Sequence, residues 1–398
     1  MGSTSNAANS NTSVLTEDML ERFGSRAAGY DRQNRFFTED FAELRVAKYL
    51  LLPVPREFGG AGMSLAQMCR EQRRLAYHAP ATALAVNMHL YWVGVAADLW
   101  RRGDDSLEWV LKEAAAGEVF AAGHAEGGND LPVLLSTTRA ERVAGGYRFT
   151  GRKLFGSLTP VWTRLGLHGL DASDPARPRI VHAFMPRECG AYRVEETWDV
   201  LGMRATRSDD TVLENAFIPD RYVARVLPAG AAGLDLFVLA VFAWALLGFG
   251  NVYFGLARCA LDQAIASTRR KRSLALNRSM AYHPEVQHAV ADMAIELESI
   301  GPHLERIAQD WSEGVDHGAG WPAKIFAAKH HAVEGAWKVV DTGLHVMGGP
   351  GIFRSSAYER LMRDAALGRL HPANSFLTRE VVAKTALGIG LDEQPRWG

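Results

Sequence analysis

RAERVAGGYRFTGRKLFGSL, residues 139–158, breaks with the text before it. Its apolar residues come in short runs between glycines, and Gly145-Gly146 marks a tight hairpin turn. The same texture continues in RIVHAFMP (179–186) and TVLENAFIP (211–219). A small antiparallel sheet or barrel is expected over residues 118–228. Upstream, over 16–117, apolar residues recur at helical spacing in LAQMCREQRRLAYH and TALAVNMHLYWVGVAADLW. Pro53, Pro55 and REFGGAGMS interrupt that stretch, and Ser64 is placed to cap the helix that follows. Downstream, over 229–398, long helices return. In VQHAVADMAIELESI the positions Val286, Val290, Met293, Leu297 and Ile300 step by four and three, the seam of an antiparallel helix bundle. The fold class is therefore α+β, mostly α: a helical domain, a middle antiparallel β domain and a C-terminal helical bundle.

The ends and the composition narrow the class of protein. Residues 1–15, opening MGSTSNAANSNTS, are small and polar and are expected to form a disordered leader. The most apolar run, LFVLAVFAWALLGFG (236–250), is 15 residues long, short of the ~20 that a bilayer span needs, so a buried core helix is expected. The chain has 398 residues, 47% hydrophobic and 22% charged, with a net charge of −1. That balance argues against a nucleic-acid or membrane-surface binder, both of which carry a basic excess. The three cysteines, Cys69, Cys189 and Cys259, have neither metal-ligand nor disulfide-framework spacing, which fits a cytoplasmic location and no metal. No G-x-G-x-x-G joins an expected strand to a helix, so direct use of a nicotinamide dinucleotide is not expected.

Several strings together resemble the acyl-CoA dehydrogenase superfamily of flavoproteins. They are PREFGGAGMS, GGYRFTGRKLFGS, WDVLGMRATRSDDTVLENAFIP, GFGNVYFGLARCALDQAIA, HPEVQHAVADM, LHVMGGPGIFR and ERLMRDA, in the family's order from about Glu17 to Lys384. The resemblance implies that the bundle is a four-helix bundle, that a flavin, FMN or FAD, lies between it and the β domain, and that the chain forms a homo-oligomer, dimer or tetramer, in which a neighbouring subunit completes the site. It also implies cofactor contacts from His124 and Asn129 in GHAEGGND, from Phe155 and Ser157, from Arg272, and from His345, Gly348 and Gly349. Each has a plain structural alternative: a glycine cluster is a turn or helix cap, and the cations at 269–272 are a solvated face.

The sequence departs from the dehydrogenases where their chemistry lies. Removal of the α-proton of an acyl thioester takes a carboxylate base. Counting from Arg363 puts the family's glutamate at Pro372, with His371 before it; the alternative site, on the first long bundle helix, falls at about Ala245. Neither is acidic. The arginine-x-x-phenylalanine-glycine string that helps bind the adenine half of FAD is replaced by RRKRSLALNRSMAYHP.

These losses resemble the two-component flavin monooxygenase branch of the fold, in which a separate reductase supplies reduced flavin. That likeness implies His371, His89 and Ser157 as catalytic residues, with Tyr91, Trp92 and Trp162 in the substrate pocket. The chemistry suits the residue types: oxygen activation on reduced flavin needs a dry pocket and a few fixed hydrogen-bonding groups. A histidine with an ordinary pKa near ~6.5 can hold and return a proton. The expected substrate is a small organic molecule oxygenated at nitrogen, sulfur or an aromatic carbon. Two alternatives stay open. One is an acyl-CoA or acyl-carrier-protein dehydrogenase with a displaced base, such as His371, Glu126 or Glu380. The other is a non-redox scaffold of the same fold.

Overall fold

The computed structural model describes residues 13–230 and 235–393. Residues 1–12 of the expected leader lie outside the described residues, but 13–15 do not behave as a leader. Leu15 is buried, and Ser13 Oγ donates to Glu71.

Helices come first. Thr16 caps α1 (Glu17–Gln33), which is followed by α2 (Thr38–Val46). Ser64 and Gln67 form a reciprocal capping box at the start of α3 (Leu65–His78). α4 (Pro80–Arg101) and α5 (Glu108–Ala115) complete the helical part, and α4 is buried on nearly every face.

The sheet follows, as β1 (Phe120–Gly123), β2 (Arg139–Val143), β3 (Gly146–Gly156), β4 (Arg164–Asp171), β5 (Arg179–Pro186), β6 (Tyr192–Glu195), β7 (Asp209–Pro219) and β8 (Val223–Pro228). Its order is β6-β7-β3-β2-β4-β5-β8, with β1 paired to β4. The sheet is mixed rather than wholly antiparallel, because β1 and the end of β2 both run parallel to β4. The β2–β3 turn also differs from the reading of Gly145-Gly146. Val143 pairs with Gly146, so the two-residue turn is Ala144-Gly145, with Gly145 at φ +78°. Gly146 already belongs to the strand, where a Cβ would stand 2.2 Å from Ile218 O on β7.

The bundle contains α6 (Leu236–Arg270), α7 (Pro284–Glu313), α8 (Trp321–Met347), α9 (Ala357–Gly368) and α10 (Ser375–Leu387); a two-strand hairpin, β9 (Arg272–Ser273) and β10 (Arg278–Ser279), joins α6 to α7. α6 runs 35 residues, well past Asn251, and is long and apolar enough to cross a membrane, yet 89% of its most apolar window is buried inside the fold. It packs against α3, α4, α7, α8 and α9, and α10 packs on α8. On α7 the expected seam is buried from Met293 onward, while Val286 and Val290 are half-buried.

Candidate functional site

A cavity of about 830 Å³ lies where the sheet meets the helices. α4 contributes Leu84, Met88 and Tyr91. The sheet side supplies His124, Phe155, Ser157, Thr206 and Ser208, and α6 presents Phe242, Ala245 and Phe249. The 370–373 turn and α10 add His371, Pro372, Leu377 and Glu380 to the wall. Most of the wall is aliphatic or aromatic, and no lysine or arginine lines it among the described residues.

His371 is set by two helices. Its ring stacks on Phe249 at 4.8 Å with planes 11° apart, and its Nε2 shares a 2.8 Å hydrogen bond with Tyr253 Oη, both residues on α6. From α8, the buried Lys329 Nζ donates to His371 O and Ala373 O, each at 3.1 Å. Those bonds brace a turn in which Ala373 sits at φ +52°. Burial, aided by the Lys329 charge, pushes the imidazole down to about 3. Burial likewise lowers Lys329 to about 7. The histidine is therefore a neutral hydrogen-bonding group at the cavity wall.

On the sheet side the polar groups are hydroxyls. Ser157 Oγ lies 2.7 Å from Ser208 Oγ, and that oxygen lies 2.7 Å from Thr206 Oγ1. Thr206 donates in turn to Met203 O at 2.9 Å. Phe155, at φ +59°, leaves its ring 59% exposed, edge-on to Trp198, which also lines the cavity. His124 Nδ1 stands 3.4 Å from Tyr91 Oη. Its ring contacts those of His168 and His182, which stack on each other, and burial with the nearby His182 and Lys153 holds His124 well below the ordinary histidine value. Lys153 and Glu126 form a buried ion pair of 2.5 Å, which keeps Glu126 at about 2 despite the opposing cost of burial.

Several expected site residues are elsewhere. His89 is completely buried in α4. Its Nε2 is 3.0 Å from Leu50 O, and its Nδ1 accepts the Phe120 N–H at 3.1 Å, so both nitrogens serve the backbone and none is left for a ligand. Trp92 donates to Ala121 O and packs on Phe184 in the core. Trp162 is completely buried beneath Arg187, away from the cavity. Asn129 braces its own loop through Glu126, Leu131 and Leu135. Arg272 closes the 272–279 hairpin on Asn277. His345, Gly348 and Gly349 are exposed at the end of α8 and do not line the cavity. The residues that sequence reasoning missed are Tyr253, Lys329, Trp198, Thr206 and Ser208. The last three stand inside WDVLGMRATRSDD, a string whose family likeness does not say which of its side chains face a cavity.

Pro372 and Ala245, the two positions where the family count places its base, both line the cavity. The carboxylates on the lining are instead Glu380 and Asp392, and Glu380 is paired to Lys384 Nζ at 3.1 Å. Among the described residues no group of three or more histidine, cysteine or acidic side chains could hold a metal. The cavity suits a flavin in volume, in its apolar walls and in the hydroxyls that would meet a polar ring edge. Phe155, Ser157, Trp198, Thr206 and Ser208 are the residues that would hold it.

Residues 233–387 match the family model described as acyl-CoA dehydrogenase, C-terminal domain. The chain is 29% identical to the putative acyl-CoA dehydrogenase YdbM of Bacillus subtilis (strain 168), over 89% of this chain and 91% of that one. It is 28% identical to the amino sugar nitrososynthase DnmZ of Streptomyces peucetius, over 93% and 92% of the two chains. A solved structure of KijD3 in complex with FMN and dTDP-3-amino-2,3,6-trideoxy-4-keto-3-methyl-D-glucose superposes with a TM-score of 0.82 at 24% identity, covering 95% of this chain and 93% of that one.

Proposed function

From a chain that carries the acyl-CoA dehydrogenase fold and, over residues 233–387, that family's C-terminal domain, we propose a flavin-dependent monooxygenase supplied with reduced flavin by a separate reductase. The observation that carries this reading is the pair Pro372 and Ala245: both line the cavity, neither can take a proton, and a neutral His371 stands beside the first. The nitrososynthase relative and the FMN complex of a structural neighbour support it.

Bound reduced flavin would supply the electron pair that lets O₂ give one oxygen atom to substrate and the other to water. The chain's own work is to hold the ring against the hydroxyls of the sheet and to exclude water with Leu84, Met88, Phe242 and Phe249. His371, its Nε2 on Tyr253 Oη, gives the cavity wall a fixed, neutral hydrogen-bonding group. The described lining has no lysine or arginine, so the reading takes a neutral, apolar substrate oxygenated at nitrogen, sulfur or an aromatic carbon. Self-association belongs to the same proposal: Ile352 and Phe353 are 65% and 63% exposed beside Gly348 and Gly349, as a surface for a second copy of the chain.

Chemically reduced FMN, ¹⁸O₂ and a panel of neutral amines, thioethers and indoles test the reading. One labelled oxygen in a product is expected. A second reading, dehydrogenation of an acyl thioester, has one observation in its favour, which is Glu380 on the cavity wall. Anaerobic bleaching of protein-bound FAD by an acyl thioester, lost in Glu380→Gln, would overturn the first reading and establish the second.

A further inference from the structure

The hydroxyl chain on the sheet side has a direction. Met203 O is a carbonyl and can only accept. It lies 2.9 Å from Thr206 Oγ1, a separation at which two oxygens repel unless a proton lies between them, so the Thr206 hydroxyl hydrogen points to Met203. Thr206 then has no hydrogen for Ser208. The 2.7 Å contact between them is made by the Ser208 hydrogen. Ser208 in turn has none left for Ser157, so the 2.7 Å contact between the serines uses the Ser157 hydrogen. All three side chains are at least nine-tenths buried, so solvent does not compete for these protons. All three also line the cavity. Ser157 therefore shows the cavity lone pairs only.

We propose that the Met203–Thr206–Ser208–Ser157 chain makes Ser157 a fixed hydrogen-bond acceptor that selects reduced over oxidised flavin. The proposal rests on the flavin reading above and adds to it a physical device for redox selectivity. Oxidised isoalloxazine presents bare N1 and N5, which are acceptors; reduction puts hydrogen on N5 and turns that edge into a donor. An acceptor wall rewards the second form and leaves a lone-pair clash with the first. The role differs from that of a serine donating to oxygen or flavin: a donor would favour the oxidised ring. A chain built this way holds the flavin a reductase delivers and lets go of the flavin that turnover leaves behind.

The test is equilibrium binding of FMN in both redox states to the whole protein, under anaerobic conditions for the reduced form, with the midpoint potential of bound flavin as a second readout. Reduced FMN is expected to bind more tightly, by about three- to tenfold for one hydrogen bond, with the bound midpoint above that of free FMN. Ser208→Ala removes the acceptor of the Ser157 proton, and Thr206→Val removes the acceptor of the Ser208 proton. Each frees the Ser157 hydroxyl to donate into the cavity. Both variants should bind oxidised FMN more tightly than the parent, a gain that damage to the fold does not produce. Thr206→Ser keeps the chain and should keep the parental ratio. Equal affinities in the parent, or a ratio unmoved in both Ser208→Ala and Thr206→Val, overturn the proposal while leaving the monooxygenase reading intact. Failure to bind flavin in either state would remove both.

Discussion

His371 and Lys329 show how much depends on single side chains. The imidazole is neutral because burial and a neighbouring cation both oppose its protonation, and Tyr253 fixes which way one nitrogen points. Replacing it by alanine removes that hydrogen-bonding group. We expect His371→Ala to slow oxygenation by ~10²–10³-fold while leaving reduced-flavin affinity within a few-fold, measured as product formed against hydrogen peroxide released. Lys329 gives a pH signature. Its folded-state value is lowered to about 7 by burial, so between there and its ordinary value the unfolded chain binds the proton and the folded chain does not. Stability from this group therefore rises with pH across that window, and the cost of the buried charge is full below it. The melting temperature of the parent should climb relative to Lys329→Met from about pH 7 to pH 9. A difference that stays flat would place the Lys329 proton elsewhere.

At the scale of elements, α6 organises the molecule. It carries Phe249 and Tyr253 to His371 on one side, and on another it packs so tightly on α3 that only a glycine fits. A Cβ at Gly255 would lie 2.4 Å from Arg73 O and 3.0 Å from Ala76 Cβ. Backbone cannot yield as a flexible side chain can, so α3 must move off α6. Gly255→Ala should destabilise the fold by ~1–3 kcal/mol, read as a lower urea midpoint with an unchanged slope, although alanine is the better helix former. The sheet shows the same economy. Glu126, on the link after β1, pairs with Lys153 on β3, and Lys153 also donates to His168 O on β4, so one buried pair ties two strands and that link together.

The whole molecule is a sheet and a set of helices closed around one apolar volume, and its ligand preferences follow from that lining. A molecule that fills the cavity binds the folded chain alone and stabilises it, by ~2.7 kcal/mol at a hundred times its dissociation constant. With reduced FMN present, a neutral bicyclic aromatic such as indole should raise the melting temperature. Coenzyme A or a nucleoside diphosphate should raise it less than indole does, since the apolar lining rewards an uncharged ring over added phosphates. A shift with the anions and none with indole would reverse the proposed substrate class.

The order helices, sheet, helices was legible in the chain because hydrophobic period is a local property: Ser64 as a cap and the Met293–Leu297–Ile300 seam needed only neighbours in sequence. Tertiary structure alone decided which polar residues face the cavity. His371 meets Tyr253 across 118 residues and Lys329 across 42, and Ser157 meets Ser208 across 51. No local pattern records such pairings. His89 fails as a site residue for the same reason, since Leu50 and Phe120 reach it from segments 39 and 31 residues away. The sequence determined the elements and the absence of acid at Pro372 and Ala245. Folding determined which nitrogen or hydroxyl was left with a free valence, because that depends on what every distant neighbour has already taken.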